Sequence, residues 1–433
     1  MARPLRIGLL GLGTVGTAVA HALLDKDDVL ARRVGAPLEL RRILVSDPVK
    51  ERSVDRSLLC FDPDDILGDP DIDLVVEVWG GEHPAYEWIV GALTAGKHVV
   101  TANKEVMAKH GPEILALAAE KGVDISFEAS VGGGIPVIGP FKLDLLANRI
   151  HRVRAIINGT TNYILTQMAN HGSAFADALA AAQALGYAEA DPTNDVEGID
   201  AAYKLAILGS LAFHMKVRPE DVYHEGITGL APADFRYARE LGHTIKLLAI
   251  GEERDGAVQL RVHPALLPQT DMLANVDGVF NAVYVEGDLV GPILFYGRGA
   301  GGGPTSSAVV ADIIDLAQRA LAGPIRVPPP FFDEAHTLQA MDDVRTGYYL
   351  RLLAYDRPGV FAQITRVLGE AEISLASVIQ KQNVLLGDPP AEYAEVVLMT
   401  HQTREAAMQS AVRAIAALPA VYQIGSLIRI EDQ

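Results

Sequence analysis

Leu5-Arg6-Ile7-Gly8-Leu9-Leu10-Gly11-Leu12-Gly13-Thr14-Val15-Gly16 decides the fold. Residues 5 to 10 form a short apolar run that reads as a strand, and a helical pattern runs from residue 14 to residue 24. Gly11, Gly13 and Gly16 stand where a tight turn, close backbone approach to a pyrophosphate and helix-to-strand packing each exclude a side chain. The helix start offers free N–H groups to phosphate. Between a strand and a helix, this spacing predicts a dinucleotide site at Gly11, Gly13, Thr14, Val15 and Gly16; an ordinary turn is the alternative.

Working outward, strands are expected over residues 38–45, 71–78, 97–101 and 123–128, with helices over 86–95 and 112–121. Such alternation predicts an α/β fold with a Rossmann-type, doubly wound parallel sheet. An acidic residue for the ribose hydroxyls is expected about 20 residues past the glycines, yet the next strand ends at Asp47, 31 residues beyond Gly16. A long loop accounts for the shift. Asp47 favours NAD, whereas Lys50 and Arg52 could receive the extra phosphate of NADP, and the choice stays open.

The pattern loosens after Gly134 into a second, α+β region over residues 136–300, with strands at 153–157, 259–262 and 279–286 and helices at 176–185 and 197–213. A glycine-rich loop over 297–303 leads into a helix from Pro304 to about residue 321 that could return to either domain; part of 297–325 is expected to complete the first domain, residues 1–135. Residues 322–346, with Pro328-Pro329-Pro330, read as a linker. Over 347–433 the order βαββαβ predicts a ferredoxin-like sandwich.

The 433 residues suffice for several domains, and 49% apolar with 21% charged residues excludes a mostly disordered chain. A net charge of −18 without a basic cluster argues against nucleic-acid and anionic-membrane partners. Cys60 is the only cysteine, which excludes an internal disulfide and a multi-cysteine zinc site and fits a reducing cytoplasm. Arg3 and Arg6 before an apolar run resemble a signal peptide, but the glycines that interrupt the run belong to the nucleotide motif.

Two further regions carry chemistry. Glu189, Asp191, Asp195, Glu197 and Asp200 put five carboxylates within 12 residues, and Lys204 follows Asp200 by four positions. That spacing is commonly a solvated salt bridge. Here the neighbours Ala201, Ala202, Leu205, Ala206, Ile207 and Leu208 argue for a buried helix, in which a lysine could transfer protons and the surplus negative charge could hold an ammonium group. A divalent metal site is the rival. Lys104, in Thr101-Ala102-Asn103-Lys104, is expected at the carboxyl end of a parallel strand, where open α/β sheets bind ligands. In residues 127–136 Glu128 precedes a glycine-rich turn whose carbonyls could ring a cation.

Taken together, Gly11 to Gly16, Thr101-Ala102-Asn103-Lys104, Glu128-Ala129-Ser130-Val131-Gly132-Gly133-Gly134-Ile135-Pro136, Asn158-Gly159-Thr160-Thr161-Asn162 and Gly186-Tyr187-Ala188-Glu189 through Lys204 resemble homoserine dehydrogenase over residues 5 to 320. Asp356-Arg357-Pro358-Gly359-Val360-Phe361 before a helix resembles an ACT regulatory domain, which would make 347–433 regulatory and 136–300 catalytic and dimerising. The resemblance implies reversible reduction of L-aspartate 4-semialdehyde to L-homoserine with NAD or NADP, on the route to threonine and methionine. It assigns proton transfer to Lys204, a second catalytic role to Lys104, catalytic support and substrate binding to Asp200, substrate binding to Glu189, and ordering of the site to Asp195. Glu128 with the carbonyls of Val131, Gly133 and Ile135 would hold a monovalent cation, normally sodium, and Gly186 and Gly302 would help clamp cofactor and substrate. It further implies a homodimer or higher homo-oligomer and threonine as effector. Another ACT-containing amino-acid-pathway dehydrogenase, or a sensor that keeps the fold without turnover, are the alternatives.

Overall fold

The computed structural model describes residues 3–323, 332, 336–382 and 393–431; the triple proline of the expected linker lies outside them. The chain forms two compact units, residues 1–157, 201–222 and 280–336, and residues 158–200, 223–279 and 337–433. Among the described residues no helix is long and apolar enough to cross a membrane.

The first unit is built on a six-stranded parallel sheet: β1 (Leu5–Leu10), β2 (Leu38–Leu44), β3 (Leu59–Cys60), β4 (Leu74–Glu77), β5 (His98–Thr101) and β6 (Ile125–Ser126), in the order β3-β2-β1-β4-β5-β6. The strand order reverses between β1 and β4, which opens a crevice at their carboxyl ends. Leu9, Val19, Leu23, Ile43 and Val76 form its core together with Val309, Ile313 and Leu316 of the late helix Gly302–Ala322, which lies along Thr14–Asp25. The same unit holds an antiparallel sheet in which Phe280–Gly287 pairs with Ile150–Ile156 on one side and Gly291–Arg298 on the other.

Three local expectations need correction. The shift of Asp47 comes from a second helix, Asp27–Val34, closed by Gly35 in the left-handed region, and not from a long loop. The helix expected from residue 112 starts at Lys104, because the Asn103 side chain accepts the Val106 N–H and caps it there; Pro112 lies inside. Pro304 is the third residue of its helix, after Gly302 and Gly303.

In the second unit, four strands and two helices form the βαββαβ sandwich, with sheet order Val421–Ile430, Arg345–Tyr355, Tyr393–Thr400, Leu375–Gln382. Its sheet does not stop there. Ala265 and Leu266 of the long hairpin strand Ala257–Pro268 pair with Arg429 and Ile430, so the C-terminal sheet continues into the hairpin His243–Arg254/Ala257–Pro268.

Candidate active site

The nucleotide loop follows directly from sterics. A Cβ on Gly11, whose φ is +109°, would lie 2.9 Å from the Val78 carbonyl oxygen, and one on Gly16 would lie 2.1 Å from that of Gly11. Around Gly13, by contrast, there is open space. The helix Thr14–Asp25 has no side-chain cap and no acidic residue in its first turn, so its N–H groups and positive end suit an anion. A Cβ on Gly302 would sit 3.3 Å from Thr14 Cγ2, which puts the late glycine loop against that first turn. Asp47 is exposed beyond β2; its carboxylate accepts the N–H groups of Val49 and Lys50 at 2.8 and 3.2 Å, and these hold it below the usual carboxylate range. Arg52 donates to the Asp47 carbonyl at 2.9 Å, so both expected phosphate partners stand on the Asp47 turn.

Next to the reversal point, Lys104 and Lys204 line one cavity of about 240 Å³ with Gly80, Gly81, Asn103, Ser130, Gly133, Gly299 and Thr305. Both lysines are half-buried. The Lys204 ammonium donates to the Ile157 carbonyl at 2.8 Å, which anchors it beyond the strand Ile150–Ile156. Gly133 must be small because a Cβ there would meet the Gly299 carbonyl oxygen at 2.3 Å, and Gly299 because a Cβ there would meet the Asn281 amide nitrogen at 1.9 Å. Two ammonium-bearing side chains in one crevice can stabilise and protonate an oxygen that gains negative charge.

The Glu128 loop borders this crevice through Ser130 and Gly133. The Glu128 carboxylate accepts the N–H groups of Val137, Ile138 and Gly139 at 2.5, 2.8 and 2.6 Å, so its charge answers the start of the helix Ile138–Lys142. Its own N–H donates to Asp312, whose carboxyl burial pushes up to about 7. Gly132 and Gly133 take φ of +71° and +55° and turn the chain back, in the stretch that carries the carbonyls of Val131, Gly133 and Ile135. An all-oxygen donor set suits a hard cation. Among the described residues no group of three or more His, Cys, Asp or Glu side chains is arranged to hold a metal.

In the second unit, Asn158 joins the two central carboxylates: its amide donates to Asp195 at 2.6 Å and to Asp200 at 2.8 Å, while its oxygen caps the helix Gly159–His171. Asp200 is buried, and Lys204 follows one turn later on the helix Ile199–Ala212. Glu189 is exposed on the loop after Gly186, whose φ is +74°; the Thr160 hydroxyl holds that loop by donating to the Tyr187 carbonyl at 2.7 Å. Cys60 is buried, and burial pushes its thiol up to about 11, which disqualifies it as a nucleophile at neutral pH.

Three residues escaped the sequence reading. Asn158 was legible only as part of a block, and Thr101 only as a strand end. Glu77 had a signal: it is a carboxylate closing the otherwise apolar strand Leu74–Glu77 at the edge where ligands bind.

The chain is similar along its length to known proteins. The family model for the homoserine dehydrogenase NAD binding domain matches residues 11–128, that for homoserine dehydrogenase matches 136–314, and that for the ACT domain matches 348–420. A homoserine dehydrogenase of Neisseria gonorrhoeae is 45% identical over 436 residues, covering 99% of each chain. The crystal structure of a homoserine dehydrogenase from Thiobacillus denitrificans superimposes with a TM-score of 0.92 at 46% identity, again covering 99% of both chains. A hyperthermophilic archaeal homoserine dehydrogenase in complex with NADPH matches with a TM-score of 0.63 at 29% identity, over 76% of this chain and all of that one. The nucleotide loop, the lysine-lined crevice and the C-terminal sandwich therefore belong to a member of the homoserine dehydrogenase family that carries an ACT domain.

Proposed function

We propose that the chain interconverts L-aspartate 4-semialdehyde and L-homoserine, with Lys204 as proton donor and acceptor and Lys104 as the second catalytic lysine. The observation that carries this reading is the pair of ammonium groups in one cavity beside the nucleotide loop. When bound, the nicotinamide supplies or takes the hydride at the substrate carbon. The chain manages the oxygen. As the carbonyl π electrons move onto it, an ammonium stabilises the developing alkoxide and gives it a proton; in the oxidation direction the neutral amine takes the hydroxyl proton. Glu189 and Asp200 hold the amino acid and Asp195 orders them, a reading supported by the Asn158 bridge between Asp195 and Asp200. Gly11, Gly13, Thr14, Val15, Gly16, Asp47, Lys104, Gly186 and Gly302 form the cofactor contacts. A spectrophotometric assay at the reduced-nicotinamide band, with L-homoserine and either NAD or NADP, tests the proposal; absence of turnover with both would refute it.

Glu128, Val131, Gly133 and Ile135 would hold a monovalent cation, sodium by resemblance, whose role is to brace the loop beside the crevice. Replacing sodium by choline in the assay buffer is expected to raise KM and lower the melting temperature. For the effector, a cavity of about 330 Å³ in the C-terminal sandwich is lined by Tyr355, Asp356, Arg357, Gly359 and Gln380, a polar rim suited to a small zwitterion. Threonine is the candidate, and it can act only by binding two states unequally. Self-association is supported by the edge strand Gly291–Arg298 and the exposed Leu143, Leu146, Leu289, Val290 and Tyr296 of the same unit. Light scattering in solution would show a dimer or a larger assembly.

A further inference from the structure

Glu77 is a buried carboxylate to which the proposed chemistry gives no task. It ends β4 at the reversal point of the sheet, is 0% exposed, and is absent from the walls of the lysine cavity. Burial pushes its carboxyl above the usual range against the pull of its hydrogen bonds. Such a group is costly to remove from water unless donors compensate it.

The donors come from two segments that do line the cavity. Glu77 Oε1 accepts the N–H of Trp79 at 2.8 Å and, more weakly, that of Gly80 at 3.4 Å. Oε2 accepts the Thr101 hydroxyl at 2.6 Å. Thr101 Oγ1 in turn accepts the Asn103 N–H at 3.0 Å, the Asn103 amide donates to the Gly81 carbonyl at 2.8 Å, and Asn103 Oδ1 caps the helix that begins with Lys104. The backbone carbonyl of Glu77 also accepts the Ala102 N–H at 3.2 Å.

We infer that Glu77 is a positioning residue for Lys104: through Thr101 and Asn103 it fixes where that helix starts, and through Trp79 and Gly80 it fixes the glycine wall of the same cavity. A carboxylate is suited to this because it only accepts, and both segments present donors. Glutamine keeps the shape but must turn its NH2 toward one of these donors, the Thr101 hydroxyl or the Trp79 N–H, which then loses its acceptor.

This inference rests on the proposed role of Lys104, and the test separates the two. Thr101→Val keeps the buried volume and cuts the link between Glu77 and Asn103; Thr101→Ser keeps the hydroxyl. Displacement of a catalytic group by about 1 Å can cost on the order of 100-fold. Expected are a kcat lower by about tenfold to a hundredfold for Thr101→Val and a somewhat smaller loss for Glu77→Gln. Thr101→Ser is expected to stay close to the parent enzyme, and cofactor affinity to change far less than kcat. The decisive arm combines Thr101→Val with Lys104→Ala. If Thr101 acts through Lys104, the second substitution adds almost nothing to the residual rate. Equal losses in both backgrounds, or a parent-like kcat for Thr101→Val while Lys104→Ala is impaired, would overturn the positioning role alone. Full activity of Lys104→Ala would overturn the role of Lys104 and this inference with it. Should Glu77→Gln not fold, the Thr101 series still decides.

Discussion

The lysine crevice of the first unit and the seam beneath the C-terminal sheet of the second treat charge in opposite ways. In the crevice, Lys104 and Lys204 are half-buried and line an open cavity, while the buried carboxylate beside it, Glu77, is spent on holding backbone. In the seam, charges are buried against one another. Arg351 donates to Asp234 at 2.6 and 3.2 Å and to Glu395 at 3.2 Å. Arg429 reaches Glu405 at 2.8 and 2.6 Å and Glu225 at 2.7 Å, at 2% exposure. Charges that face a cavity are arranged for a ligand, whereas charges that satisfy each other fix the position of two elements. Substitutions in the first region should therefore change rate at little cost in stability, and those in the second should do the reverse.

The sharpest break between the regions is expected from Lys204→Ala, with a turnover loss of about 1,000-fold or more and a melting temperature close to that of the parent. A large drop in melting temperature would move Lys204 into the structural class. Arg351→Met should have the converse effect, destabilising by about 3–5 kcal/mol because it leaves Asp234 buried without its cation. Chemical denaturation measures this, and adding Asp234→Leu should recover part of the loss. The activity of the folded fraction with saturating substrates should be nearly unchanged.

His263, fully buried in the seam, sharpens the comparison through pH. Burial and the neighbouring Arg429 and Arg261 hold its pKa well below the ordinary 6.5. The unfolded chain therefore binds a proton below about pH 6.5 that the folded chain refuses, so stability falls as pH drops below that value, at roughly 1.4 kcal/mol per pH unit. His263→Gln should flatten this slope, as seen in melts from neutrality down to about pH 5. The smallest expected effect returns to the first unit. Replacing Lys50 and Arg52 by alanine should raise KM for NADPH by about tenfold while leaving KM for NADH nearly constant; equal changes for both cofactors would detach these residues from the 2′-phosphate.

The same contrast explains what could be read beforehand. The parallel sheet and the nucleotide loop were legible because glycine spacing and apolar runs report backbone sterics directly. The C-terminal sandwich was equally plain in its alternation. The hairpin strand His243–Arg254 was not, because Lys246, Glu252 and Glu253 are buried within it and break the apolar pattern; Lys246 is made tolerable by the Val276 carbonyl and Asp277. In the site, Lys104 and Lys204 stood out by residue type and context. The partners that place them, Ile157, Thr101 and Asn103, act through hydrogen bonds that leave no periodic trace. Glu77 reaches the crevice by way of Thr101, 24 positions along the chain, a link that only the folded sheet creates.

The central claim is that a lysine ammonium meets the reacting oxygen, and a crystal structure with oxidised cofactor and L-homoserine bound tests it most directly. The account requires the substrate hydroxyl within hydrogen-bond reach, about 2.6–3.2 Å, of the Lys204 or Lys104 ammonium. A substrate bound beside the cofactor with both ammonium groups turned away from that oxygen would contradict it.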